Sequence, residues 1–138
     1  MLDPLSATFR IAASGLEAQS TRMRVVAENL ANAESTGATP GADPYRRKLV
    51  SFDNALDRAA GVNLVSVKRV SDDQRPFRTS YDPSHPAADE KGYVKLPNVD
   101  TLVELADMKE ANRSYQACLQ VWRQARELHA MTLDLLKA

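Results

Sequence analysis

The chain has 138 residues, about one domain's worth, and its 18 basic and 18 acidic side chains cancel. That balance excludes bulk electrostatic attraction to DNA, RNA or an anionic membrane. The single Cys118 excludes an internal disulfide, and no stretch approaches the ~20 apolar residues needed to span a bilayer.

Three zones follow in chain order: residues 1–35, 36–97 and 98–138. In the first, Asp3 followed by Pro4 reads as an N-cap with proline at the first helical position. Leu5, Phe9, Ala12, Leu16, Gln19, Met23, Val26, Leu30 and Ala33 then recur at alternating steps of four and three. That spacing predicts a long helix with an a/d seam, of the kind that winds into a left-handed coiled coil. Gly15 sits mid-helix among Ala12, Ala13, Ser14 and Ala18, where close approach by a neighbouring helix is expected. Asn29 and Asn32 lie one turn apart near the helix end. Asn29 flanks the seam position Leu30, and the pair is expected to specify interhelical register, because a buried amide needs partners and tolerates few alignments. The N-terminus has neither a basic n-region nor a continuous apolar run, so a location outside the cytoplasm would require export without a cleaved signal.

The middle zone holds six of the seven prolines and four of the five glycines. Strand-like runs fall at residues 47–52, 62–70 and 77–81, with a fourth at 93–96. A small antiparallel β-hairpin region with long loops is expected, leaning on something else because isolated hairpins are marginal. Arg46, Arg47 and Lys48, with Lys68 and Arg69, form a weak basic signal that reads as a solvated strand edge. His85 lies near Asp82, Asp89 and Glu90, but without recognised metal-ligand spacing.

Pro97 ends the middle zone. Asn98 or Asp100 can cap the next helix, and Thr101 with Glu104 has capping-box spacing. Met108, Ala111, Tyr115, Cys118, Trp122, Ala125, His129, Thr132 and Leu136 form a second three-and-four stripe, widened by Leu105, Leu119, Leu128, Leu133 and Leu135. At ~1.5 Å per residue the two helices would be roughly 45 and 55–60 Å long. Cys118 and His129 are too far apart along one helix, about 16 Å, to act as a catalytic pair. No phosphate loop, nucleophile elbow or CxxC pair is present. The expected fold is mainly α, with terminal helices pairing as an antiparallel coiled coil. No catalytic, cofactor or metal site is expected. One narrow seam hardly offsets the ordering entropy of two long helices, which points to a subunit of an assembly whose isolated monomer is partly disordered at its ends.

The run Ser14-Gly15-Leu16-x-Ala18-Gln19, with Met23-x-Val25-x-Ala27-x-Asn29-Leu30-Ala31-Asn32-Ala33, resembles the N-terminal signature of bacterial flagellar rod and hook proteins. Independently, Gly92-Tyr93-Val94-Lys95-Leu96-Pro97-Asn98-Val99-Asp100 resembles the segment that opens the C-terminal helix of a short proximal rod protein. Glu104, Met108, Ala111, Arg113, Ser114, Tyr115, Gln116 and Ala117 continue that pattern. Cys118 departs from it, since asparagine is expected there.

The resemblance implies a non-enzymatic structural subunit of the basal-body rod in the periplasm, exported through the flagellar type III apparatus. Its partners would be other rod proteins and copies of itself, with no nucleic acid and no membrane insertion. The implied packing and assembly residues are Leu5, Phe9, Ala12, Gly15, Leu16, Met23, Val26, Asn29, Leu30, Asn32, Met108, Ala111, Tyr115, Cys118, Trp122, Ala125, His129, Leu133 and Leu136. The competing reading is a cytoplasmic helical-hairpin adaptor that holds a partner helix.

Overall fold

The computed structural model describes residues 4–137. Helix α1 spans Pro4–Ala31, β1 Lys48–Asp57, β2 Val62–Asp72, β3 Arg78–Tyr81, β4 Tyr93–Leu96 and α2 Thr101–Lys137. The expected cap Asp3 lies outside the described residues. The two long helices pack against each other, and the strands form two separate two-stranded sheets, β1 with β2 and β3 with β4. No helix among the described residues is long and apolar enough to cross a membrane. Two compact units share these elements. The first takes the chain up to Met23, Ser51–Arg69 and the chain from Lys109 onward; the second takes Arg24–Val50 and Val70–Met108.

In the first unit the buried side chains are small: Ala12, Ala18, Ala111 and Ala125. Small residues let helix backbones approach closely, and Gly15 marks the tightest place. A Cβ added there would stand 2.8 Å from the Cys118 Sγ. Phe9 meets Trp122 and His129 edge-on, with ring centroids 5.8 and 6.4 Å away. The β1–β2 turn is built by Asp57, whose Oδ1 accepts the N–H groups of Ala59 and Ala60, and by Gly61 in the left-handed region at φ +66°. Arg10 holds the same aspartate at 2.5 Å, and the Val65 N–H donates to Ser14 Oγ. These bonds tie the hairpin to α1. Beyond them the ribbon is open, with residues 51–56 of β1 all exposed. Within the same unit, Lys68 makes an exposed 3.6 Å pair with Asp53.

In the second unit Val25, Val26, Pro97 and Val99 are buried together with polar side chains. Strands β3 and β4 run antiparallel, with Arg78 opposite Leu96 and Tyr81 opposite Tyr93. The tyrosine rings meet edge-on at 5.3 Å. The loop between these strands is closed by Asp89, which accepts the N–H groups of Lys91 and Tyr93. His85 is half-buried in this loop, where its Nδ1 accepts the Ala87 N–H.

Helix α2 starts differently from the capping-box expectation. Asp100 is the cap, its Oδ1 accepting the N–H groups of Leu102 and Val103. Thr101 and Glu104 form no box, because the Glu104 carboxylate turns inward to other partners.

Filling the Gly15 approach should destabilise the helix pair. Gly15→Leu is expected to lower stability by about 1–3 kcal/mol through overpacking. Gly15→Ala in a Cys118→Ala background is expected to raise it by up to ~1 kcal/mol, the helix-propensity gain with the obstructing sulfur gone. Urea unfolding of the two variants checks both signs.

Candidate assembly interface

The most tightly built part of the second unit is polar. Asn29, 1% exposed, uses both ends of its amide. Its Nδ2 donates to the Lys48 carbonyl at 2.9 Å and to Glu104 Oε2 at 3.0 Å. Its Oδ1 accepts the Lys48 N–H and the Tyr45 hydroxyl. One side chain on α1 thereby fixes the chain entering β1 and the first turn of α2. Glu104 has no exposure at all. Its second oxygen takes Arg47 Nε at 2.5 Å, so the buried negative charge has a cationic partner and an amide partner. Asp73 pairs with Arg75 at 2.6 Å and with Arg47 at 3.4 Å. Asn98 completes the arrangement, accepting the Arg47 N–H and donating to the carbonyls of Asp73 and Arg75. The Arg75 guanidinium outweighs burial and holds the Asp73 carboxyl at about 2. Burial, aided by the charges of Glu28, Asp72 and Glu104, pushes the Tyr45 hydroxyl up to about 12.

Two sequence readings change here. The basic run Arg46–Lys48 is no solvated strand edge. Arg47 is largely buried between Glu104 and Asp73, and Lys48 pairs with Glu28. Arg46 stacks on Phe77 at 4.2 Å and donates to the carbonyls of Asp73 and Arg75. Asn29 and Asn32 have different partners: Asn32 Nδ2 donates to the Glu28 carbonyl one turn back, a local bond at the helix end. Asn29 also fills the core where a flanking position was expected, while Leu30 is half-buried.

Glu104, Arg47, Asp73 and Asn98 were missed as core residues. The signal was present for Glu104, because steps of four and three carry the stripe Ala111, Met108 back to it.

The remaining stripe residues divide by exposure. Ala12, Val26, Ala111 and Ala125 are buried; Leu5, Phe9, Gly15, Leu16, Met23, Met108, Tyr115, Cys118 and Trp122 are half-buried. His129, Leu133 and Leu136 are exposed, Leu136 to 79%. Val121, Leu128, Met131 and Leu135 are exposed as well, so the C-terminal half of α2 carries apolar side chains far beyond what a single chain covers. Gln19 Oε1 is buried without a hydrogen-bond partner among the described residues.

A family model described as flagella basal body rod protein matches residues 9–39. Another, the flagellar basal body rod FlgEFG protein C-terminal region, matches residues 90–135. The flagellar basal-body rod protein FlgC of Agrobacterium fabrum is 62% identical over 99% of both chains. Those of Escherichia coli O6:H1 and Salmonella typhimurium are 43% and 44% identical over 92% of this chain and 94% of their own. The chain belongs to the FlgC family of flagellar basal-body rod proteins. Its role is that of a structural rod subunit rather than an enzyme, and the adaptor reading is not favoured.

Two outcomes follow from the polar cluster. Glu104→Ala strands Arg47 and Asn29 in the interior and should cost about 3–5 kcal/mol in chemical unfolding. The Asp73 carboxyl is depressed in the folded state, so its stabilisation is complete above its ordinary value of 3.8 and is lost as pH falls toward 2. Acid unfolding followed by circular dichroism should therefore show a shallower pH dependence between about 4 and 2 in Asp73→Asn.

Proposed function

We propose that the chain is a subunit of the proximal flagellar rod, with α1 and α2 paired as an antiparallel coiled coil. In this reading residues 1–35 and 98–138 are the axial helices of one coiled-coil domain, and residues 36–97 are the loop-rich middle. Contacts on the helices support the antiparallel sense. Within the first unit Phe9 meets Trp122 and His129 and Gly15 faces Cys118, so positions rise on one helix as they fall on the other.

The observation that carries the assembly role is the exposed apolar surface on the last turns of α2. Neighbouring rod proteins and further copies of this chain cover it, closing a tube of helices around the export channel. The subunit reaches the periplasm through the flagellar type III apparatus without signal cleavage and passes torque along the rod. Balanced charge supports partners that are proteins rather than nucleic acid.

Leu133 and Leu136 discriminate between folding and assembly. Both are exposed in the single chain, so aspartate at either should change its unfolding free energy by no more than about 0.5 kcal/mol. The same variants should be absent from detergent-resistant basal bodies, and cells carrying them should not swim. Normal incorporation and motility would overturn this assignment of α2.

A further inference from the structure

We propose that copies of this chain join head to tail, the acidic, aromatic hairpin β3–β4 of one copy seating on a basic stripe along the C-terminal half of α2 in the next. This rests on the rod-subunit reading above and names the surface that meets α2. Each of the two patches lies wholly within one unit.

The charges of the chain cancel only in sum. The first unit carries ten basic and seven acidic side chains, the second eight and eleven. Association of like units therefore brings equal net charges together, while first unit against second brings opposite ones together.

The basic patch is a further four-and-three stripe. Leu119, Arg123, Arg126, Ala130, Leu133 and Lys137 each follow a member of the seam by one position, so they form the adjoining face of α2. All but the half-buried Leu119 are exposed. Arg123, Arg126 and Ala130 line a surface groove together with one acid, Glu127. The Arg126 guanidinium lies 6.0 Å from the centre of the Trp122 ring. Aliphatic side chains alternating with cations suit a partner that offers aromatic rings and carboxylates.

The β3–β4 hairpin offers both. Tyr81 is 65% and Tyr93 46% exposed, although their rings hold each other edge-on. A Cβ at Gly92 would stand 3.0 Å from the Tyr81 ring and 3.1 Å from the Pro83 Cβ, so the ring rests against the glycine. The tyrosines are thus held in place without being covered, and rings held in advance lose little freedom on docking. Between the strands Asp82, Asp89 and Glu90 stand against Lys91. Asp82 and Asp89 each commit one carboxylate oxygen to loop N–H groups, and Glu90 is exposed. A contact between two different patches is heterologous, so it extends from copy to copy around or along an assembly.

Cross-linking within basal bodies tests this. Cells without the unaltered chain coproduce two full-length variants, both Cys118→Ala, one with Ala130→Cys and the other with Glu90→Cys. Their basal bodies are isolated, treated with a short bismaleimide and analysed by peptide mass spectrometry. No single chain carries both cysteines, so a 130–90 link joins two copies. That link should exceed the 130–130 and 90–90 links by at least ~5-fold. Lys137→Cys with Ser84→Cys reads the same contact if either first variant blocks assembly. Basal bodies that contain both variants without the cross-patch link overturn the inference, and so does dominance of the like-to-like links. Position 130 linked only to a different rod protein overturns it too, while leaving the rod-subunit reading in place. Absence of the unaltered chain from basal bodies would overturn that reading and the inference together.

Discussion

A carboxylate with no solvent exposure governs the second unit of this protein. Removing a charge from water costs several kcal/mol, which only well-placed partners offset. Glu104 obtains them from elsewhere in the sequence: Asn29 on α1 and Arg47 before β1. Arg47 in turn reaches Asp73, and its backbone N–H is taken by Asn98. Segments far apart in the chain are thus required to be present together. Apolar contacts alone would have tolerated looser arrangements, because they are not directional. The polar contacts here are directional, and each arm is committed to particular partner atoms.

The first unit is held by different physics. Its buried residues are alanines, its closest helix contact needs a glycine, and its hairpin is tied to α1 through Arg10, Asp57 and Ser14. An interior of small side chains removes little apolar area from water at ~25 cal/mol per Å². The larger apolar residues, Leu128, Met131, Leu135 and Leu136, point outward instead. That distribution is unfavourable for a lone chain and suits a subunit of an assembly.

Much of this was legible in the residues. The helices, all four strand positions and the close approach at Gly15 can be read from spacing and composition, because periodicity reports which face is buried. Strand β1 extends to Asp57, beyond its apolar stretch, beside β2. The polar core was the part sequence patterns hid. Arg46, Arg47 and Lys48 look like a solvated run until the fold brings Glu104, Asp73, Phe77 and Glu28 beside them. Glu104 looks like a capping residue until Asp100 takes that role. Long-range ion pairs leave no local periodic trace. Asn29 was found as an unusual residue, while its partners lay 19 and 75 residues away.

A side-chain-resolution map of the assembled basal body tests the account most directly. It should show Glu104 enclosed between Asn29 and Arg47 of its own chain, with Leu133 and Leu136 buried against neighbouring subunits. Glu104 turned toward another subunit, or those leucines left facing solvent, would contradict it.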